Sequence, residues 1–286
     1  MAIYCGHVIV VPDAFAQATI AREGEAGRLW IAALPAVVDE LVQRWSCAPD
    51  GPVRHGFVGI VLPVRRRDRS PAVIKVSFPH PGNVHEPDAF AVWRGRGAVR
   101  LYERDDARFA MLLERAGSRT LADVTDDDRA VATLGQLSRR LAVDAPPGLP
   151  RLSDMVAGWE TEMDGHRRAL DALRELDHPE TLVHGDLHDA NVLSGDREPW
   201  LAIDPKGYVG DPAYDFFTVV HSPRLVFAPN PLRALDVFCE AAEIDRDRAR
   251  RWTLVRAIES AAWGRRHGEP DWLVEATDKL VHVLAD

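Results

Sequence analysis

The sequence predicts an α+β protein with a small β-rich amino half and a larger, mostly helical carboxyl half. Three observations carry this expectation. Short apolar runs of strand length crowd residues 57–113, apolar residues at helical spacing dominate beyond Arg115, and a Gly117-Ser118 connector lies between them. The expected division is therefore 1–116, a sheet preceded by an N-terminal helix, and 117–286, helical.

Taken in order, residues 29–45 place Leu29, Trp30, Ala33, Leu34, Val37, Val38, Leu41, Val42 and Trp45 at helical intervals, predicting an amphipathic helix interrupted or bent near Pro35. The period then changes. Strands are expected at 57–64, 72–77 and 109–113, separated by Arg-rich and Pro/Gly-rich turns, with one helix inserted at 87–94. Helices follow at 128–143, 154–176, 230–242 and 249–266, and two short strands interrupt them within 182–201. The chain has no internal repeat.

Composition narrows the function. Of 286 residues 46% are hydrophobic and 28% charged, which excludes disordered and collagen-like chains. Thirty-five Lys and Arg against 44 Asp and Glu leave a formal charge of −9, so nucleic acid is not an expected partner and a cationic small molecule suits the chain better. Lysine occurs only at 75, 206 and 279, every other cation of this kind being arginine, so each lysine stands out. No basic segment followed by a long apolar run opens the chain, and no stretch approaches the roughly 18 apolar residues that span a bilayer; a cytoplasmic protein without a membrane partner is expected. Cys5, Cys47 and Cys239 lack CxxC spacing and read as buried thiols, not as a disulfide framework or zinc site.

The densest chemical signal runs from Leu182 through His184-Gly185-Asp186-Leu187-His188 to Asn191-Val192-Leu193, then Trp200 to Asp204. The turn-rich residues 194–199 separate two apolar stretches that should pair as a hairpin, bringing Asn191 and Asp204 side by side at its open end. An Asn carbonyl and an Asp carboxylate are the hard oxygens that Mg2+ accepts when phosphates and waters complete its octahedron. Asp186, five residues before Asn191, can serve the same space as a base or orienting group for an attacking hydroxyl.

Lys75 projects from the apolar run at 72–76, and its natural counter-charges are triphosphate oxygens and a helix carboxylate. Glu86 is the first candidate for that carboxylate and Asp88 the rival, because Pro87 confines Glu86 to the first helical turn. Lys206, two residues after Asp204, is in range of the transferred or β,γ phosphates, the alternative being a surface charge on a turn. Glycines 51, 56 and 59 could admit phosphates to backbone N–H groups or be ordinary hairpin residues; there is no GxGxxG.

The Asp-x4-Asn spacing, hairpin and following Asp are those of kinase catalytic and metal loops. His184-Gly185-Asp186-Leu187-His188 with Asn191 resembles the aminoglycoside phosphotransferase branch of the protein-kinase-like fold. Ile203-Asp204-Pro205-Lys206-Gly207 and Gly210-Asp211-Pro212-Ala213-Tyr214-Asp215 are similar, more narrowly, to the aminoglycoside/hydroxyurea antibiotic resistance kinases, in particular the streptomycin 6-phosphotransferases. Upstream, Ala72-Val-Ile-Lys75-Val-Ser and Trp93-Arg-Gly-Arg-Gly fit the same branch, as does Val255-Arg-Ala-Ile-Glu259-Ser-Ala-Ala-Trp263 downstream.

The resemblance implies a bilobal kinase using ATP and Mg2+, with Asp186 catalytic, Asn191 and Asp204 on the metal, and Lys75, Glu86 and Lys206 on the phosphate side. It further implies that the backbone of Glu114 and Ala116 reads adenine, that His184 holds the loop by packing, and that Asp215 braces it. His188 is either loop scaffold or a neighbour of the phosphates. The implied acceptor is streptomycin or a related aminoglycoside; another aminocyclitol, an amino sugar or hydroxyurea stays open, as does a nucleotide-binding regulatory protein without turnover. A cationic acceptor needs carboxylates and aromatics. Glu259 and Trp263 share a helix face, and Glu240, Glu243 and Asp215 are further candidates. Monomer and homodimer are both open.

Overall fold

The computed structural model describes residues 9–159, 166–177, 179–222, 225 and 230–285. The chain divides into two compact units, one comprising the residues up to Gly95 with Val99–Arg115, the other Arg96–Ala98 with the residues from Ala116 on.

The first unit opens with α1 (Asp13–Arg44), which starts well before Leu29. Its early part buries only Phe15, Thr19 and Gly27, too sparse a stripe to register as periodicity. The departure from helical angles is at Gly24 (φ 60°, ψ −134°) and not at Pro35, because glycine alone enters that region without steric cost. There follow β1 (Ala48–Pro49), β2 (Arg54–His55), β3 (Gly59–Arg65), β4 (Pro71–Ser77), α2 (Glu86–Trp93), β5 (Leu101–Asp105) and β6 (Ala110–Glu114). The strands form one antiparallel sheet in the order β1-β3-β4-β6-β5, with β2 also on β3. β5 escapes the sequence reading because it is an edge strand in which only Asp105 is buried.

Strand alternation sorts the sheet's residues. Ile60, Leu62 and Val64 of β3 and Ala72, Ile74 and Val76 of β4 join Leu34, Val38, Leu41 and Val42 of α1 in one core. Lys75, at an odd position of β4, therefore stands on the opposite face. Gly59 is where β3 crosses closest to its neighbour: a Cβ there would sit 2.7 Å from the Val76 carbonyl oxygen and 2.8 Å from Ser77 Oγ. Its small size serves strand packing. Around Gly56, by contrast, the space is open.

The second unit contains α3 (Asp127–Leu141), β7 (Val143–Asp144), α4 (Leu152–Gly158), α5 (Arg167–Arg174), β8 (Thr181–Val183), β9 (Val192–Ser194), β10 (Trp200–Ala202), β11 (Tyr208–Val209), α6 (Phe216–Val220), α7 (Pro231–Ala242), α8 (Arg246–His267) and α9 (Asp271–Ala285). The helix expected over 154–176 corresponds to α4 and α5, with residues 160–165 between them outside the described residues. Helix α9 was not expected, although Leu273, Ala276, Leu280 and Leu284 carry its apolar face at spacings of three and four. β9 and β10 pair with Val192 opposite Ala202 and Ser194 opposite Trp200, while β8 lies between β11 and β7 in a second small sheet. Phe216, Phe238 and Trp252 are among the largest side chains buried here.

Cys47 and Cys239 are buried free thiols, and burial pushes the latter up to about 11. Cys5 lies outside the described residues. Among the described residues no helix is long and apolar enough to cross a membrane.

Candidate active site

Strand β8 delivers the chain into His184-Gly185-Asp186, and the geometry there depends on what His184 can donate and accept. It is fully buried; its Nε2–H donates to the Ile203 carbonyl at 3.0 Å and its Nδ1 accepts the Asp186 amide at 3.2 Å. Acceptance at Nδ1 requires a neutral ring, and burial holds its pKa down to about 4. His184 is thus a structural clamp between the loop carrying Asp186 and the turn carrying Asp204.

Asp215, the last residue of a single turn leading into α6, grips the same loop from below. Its Oδ1 accepts the Gly185 amide at 2.7 Å and its Oδ2 the His184 amide at 3.3 Å. Burial pushes its carboxyl up to about 7, against the pull of those two backbone bonds. The Thr218 hydroxyl lies 2.9 Å from the Leu187 carbonyl oxygen and 2.8 Å from that of Asp215, a further link between loop and helix.

Gly185 cannot carry a side chain. Its φ is +83°, and a Cβ would meet the Tyr208 ring at 2.7 Å and Lys206 Cβ at 3.0 Å. Next to it, Asp186 keeps 30% of its side chain exposed; Lys206 Nζ stands 3.1 Å from Oδ2, and His188 Nε2 3.9 Å from Oδ1. His188 Nδ1 accepts the Ala190 amide at 3.3 Å, capping the turn at Asp189–Asn191. That turn presents Asn191, whose Nδ2 donates to the Asp186 carbonyl at 3.0 Å.

The hairpin brings the second donor alongside. Ile203 N donates to the Asn191 carbonyl at 2.9 Å, extending the β9 and β10 pairing to its open end, where Asp204 follows in a left-handed conformation (φ 59°). Lys206 N then donates to the His184 carbonyl at 2.7 Å, closing the turn onto the loop that carries Asp186. Among the described residues no group of three or more His, Cys, Asp or Glu is arranged to hold a metal ion. Two oxygens, from Asn191 and Asp204, fit Mg2+ that takes its remaining ligands from nucleotide phosphates and water.

In the first unit Lys75 Nζ lies 2.6 Å from Glu86 Oε1, with side chains 11% and 3% exposed. Pro87 does not hinder the pair: it occupies the first turn of α2, where a missing N–H removes no helical hydrogen bond. Asp88 is engaged elsewhere, by Arg104 at 2.8 Å and His85 at 3.0 Å. Glu114 closes β6, its amide donating to the Arg100 carbonyl at 2.8 Å and its Oε2 accepting the Arg100 amide at 3.0 Å. Ala116 belongs to the second unit.

The acceptor candidates separate. Glu259 is half-buried on α8, and its charge reaches Tyr214. One turn earlier, the Arg256 guanidinium lies 4.2 Å from the Tyr214 ring centroid and 4.5 Å from that of Phe217, and Tyr214 meets Tyr208 edge-on at 6.0 Å. Trp263 is 42% exposed and stacks on His267 of its own helix at 4.3 Å. Glu243 pairs with Arg139 of α3 at 2.5 Å, and Glu240 is exposed on α7. Tyr208, Tyr214 and Arg256 are not among the residues the sequence reading singled out; the signal for Arg256 is an arginine within the apolar run Val255-Arg-Ala-Ile258 and that for Tyr214 a tyrosine inside the Gly210 to Asp215 motif.

The family model described as aminoglycoside/hydroxyurea antibiotic resistance kinase matches residues 44–268. The chain belongs to this family. It is 38% identical over 283 residues to a streptomycin 6-kinase of Streptomyces griseus, covering 91% of this chain and 92% of that protein. It is 37% identical over 289 residues to a hydroxyurea phosphotransferase of Kitasatospora aureofaciens, covering 92% and 83%. Among solved structures, the choline kinase of Streptococcus pneumoniae matches with a TM-score of 0.58 at 13% identity, over 88% of this chain and 99% of that one. An aminoglycoside phosphotransferase in ternary complex with ADP and hygromycin B matches with a TM-score of 0.57 at 15% identity, over 86% and 98%. This member of the resistance-kinase family is thus a small-molecule kinase with an α+β, protein-kinase-like fold.

Proposed function

We propose that this kinase transfers the γ-phosphoryl group of ATP to a hydroxyl of streptomycin or a closely related aminoglycoside, in the cytoplasm. The observation that carries the reading is the loop around Asp186: one carboxylate oxygen lies against Lys206 and the other is 3.9 Å from His188 Nε2, which leaves that second oxygen to an acceptor hydroxyl. The acceptor identity is supported by 38% identity to a streptomycin 6-kinase.

In this reading Asp186 takes the hydroxyl proton as the acceptor oxygen bonds to the γ-phosphorus, the bond to the bridging oxygen breaks, and ADP leaves with that electron pair. Asn191 and Asp204 would hold Mg2+, which supplies charge neutralisation on the phosphates when bound. Lys75, kept in place by Glu86, binds phosphate oxygens, and the backbone of Glu114 and Ala116 reads adenine. Residues 1–116 act as the nucleotide lobe and 117–286 as the catalytic and acceptor lobe. Glu259 accepts a cationic group of the acceptor, and the Arg256 guanidinium nearby steers such groups away from Tyr214. Hydroxyurea is the second acceptor, favoured by 37% identity to a hydroxyurea phosphotransferase.

The test is incubation with ATP, Mg2+ and a panel of aminoglycosides, amino sugars and hydroxyurea, followed by mass spectrometry. Addition of one phosphoryl group to streptomycin is the expected result. Modification of hydroxyurea alone selects the second acceptor, and no modification of any compound refutes the reading.

A further inference from the structure

The cation nearest the catalytic carboxylate does not come from the catalytic loop. It comes from the turn that carries Asp204. Lys206 Nζ is 3.1 Å from Asp186 Oδ2, and both side chains are 30% exposed. Three constraints fix this approach. The Lys206 amide donates to the His184 carbonyl at 2.7 Å, the His184 ring is bonded to Ile203 O at 3.0 Å, and the bare Cα of Gly185 admits Lys206 Cβ and the Tyr208 ring against the loop. The backbone of Lys206 is therefore clamped to the segment that holds Asp186, and the ammonium group does not depend on its flexible stem alone to find the carboxylate.

The choice of lysine matters. Arginine supplies 32 of the 35 Lys and Arg residues in this chain, yet the turn has lysine. A guanidinium fork engages both oxygens of a carboxylate, whereas an ammonium group is a point charge that can occupy one. With Oδ2 held by Lys206 and Oδ1 3.9 Å from His188, the carboxylate keeps one oxygen for a hydroxyl proton.

We propose that Lys206 is a positioning residue that occupies Asp186 Oδ2 and orients Oδ1 toward the acceptor hydroxyl, and that it is not a ligand of the ATP phosphates. This rests on the reading of Asp186 as the group that receives the acceptor proton. A phosphate ligand would show itself in nucleotide affinity and would tolerate arginine. A positioning lysine shows itself in turnover and does not.

The experiment compares wild type with Lys206→Ala and Lys206→Arg in steady-state streptomycin phosphorylation, with ATP affinity measured separately by calorimetry. ATP hydrolysis with water as acceptor gives the same comparison should streptomycin not be an acceptor, and absence of phosphorylated product from wild type would then indict the acceptor assignment alone. Lys206→Ala is expected to lower kcat about 100-fold, the scale of general-base contributions, with KM and Kd for ATP within about threefold of wild type. Lys206→Arg is expected to lose at least about tenfold in kcat at unchanged ATP affinity, because the fork takes up the second oxygen. In an Asp186→Asn background Lys206→Ala should add less than about twofold, since the two act as one unit. A rise in ATP KM with kcat retained in Lys206→Ala, or wild-type turnover in Lys206→Arg, would overturn the proposal.

Discussion

Gly185 gives its amide hydrogen to Asp215 Oδ1 at 2.7 Å, so the loop that carries the Asp186 carboxylate hangs from a side chain thirty residues further along the chain. The neighbouring His184 amide uses the other oxygen at 3.3 Å. Replacing Asp215 by Ala removes the acceptor for two backbone donors and should cost about 2–4 kcal/mol of unfolding free energy. Asp215→Asn keeps one acceptor oxygen and should lose less. Urea denaturation gives the stabilities, and kcat should fall more than about tenfold in the Ala variant while ATP affinity changes little.

Stability should also depend on pH through three buried groups of this unit. His184 and His221 are both held down to about 4 by burial, and Asp215 is pushed up to about 7. A depressed histidine contributes stability that is lost as pH falls from its unfolded value of about 6.5, because only the unfolded ring takes the proton. A raised carboxyl works in the opposite sense: its contribution is lost as pH rises from about 4 through its folded value. As pH falls from 6.5 to 5, uptake on the two unfolded histidines rises toward two protons while one is released from Asp215. These groups should make the protein less stable on acidification, with a slope that is small at pH 6.5 and approaches roughly 1.4 kcal/mol per pH unit near pH 5. His221 packs on Phe217 at 4.8 Å and bonds Thr277 Oγ1 at 3.1 Å, away from the catalytic loop, so His221→Gln should flatten this dependence. Urea titrations at pH 6.5, 5.8 and 5.2 would measure both slopes; equal slopes would contradict the assignment to His221.

The buried pair of Lys75 and Glu86 predicts a shared phenotype. Glu86→Gln removes the negative charge 2.6 Å from the ammonium group and should destabilise the first unit by about 3 kcal/mol, the scale for breaking one partner of a buried pair. Both Glu86→Gln and Lys75→Met should raise KM for ATP at least about tenfold. The double variant should be no worse than Lys75→Met alone, a non-additivity that ATP titration by calorimetry would reveal.

The metal assignment separates two residues that look equivalent in the sequence. Asp204 carries a full charge and Asn191 only a dipole, so Asp204→Ala should abolish phosphoryl transfer at any Mg2+ concentration, whereas Asn191→Ala should be partly restored at high Mg2+. The Asn191 change also removes a 3.0 Å bond to the Asp186 carbonyl, so restoration should remain incomplete. Activity against Mg2+ concentration, with EDTA as the zero point, checks both; retained activity in Asp204→Ala would remove it from the metal site.

Local pattern made the candidate chemistry legible. The spacing of Asp186, Asn191 and Asp204 around a hairpin lies within twenty residues, and short-range pairing is what sequence periodicity reports. Lys75 was visible because a charge inside an apolar strand is costly unless it has a partner. Elements without a strong apolar stripe were harder to see. The start of α1, the edge strand β5 and the short strands β7, β8 and β11 are held by what surrounds them, and their own composition says little.

What the sequence by itself determined is the class of reaction and a set of candidate residues for it, since hydroxyl activation and Mg2+ binding demand particular side chains at short spacings. Only the tertiary structure decided which partners those residues meet. It chose Glu86 over Asp88 for Lys75, paired Glu243 with Arg139, and set Lys206 against Asp186. Each of these rests on contact between side chains that local periodicity does not report, where a difference of a few ångströms separates an ion pair from a solvated charge.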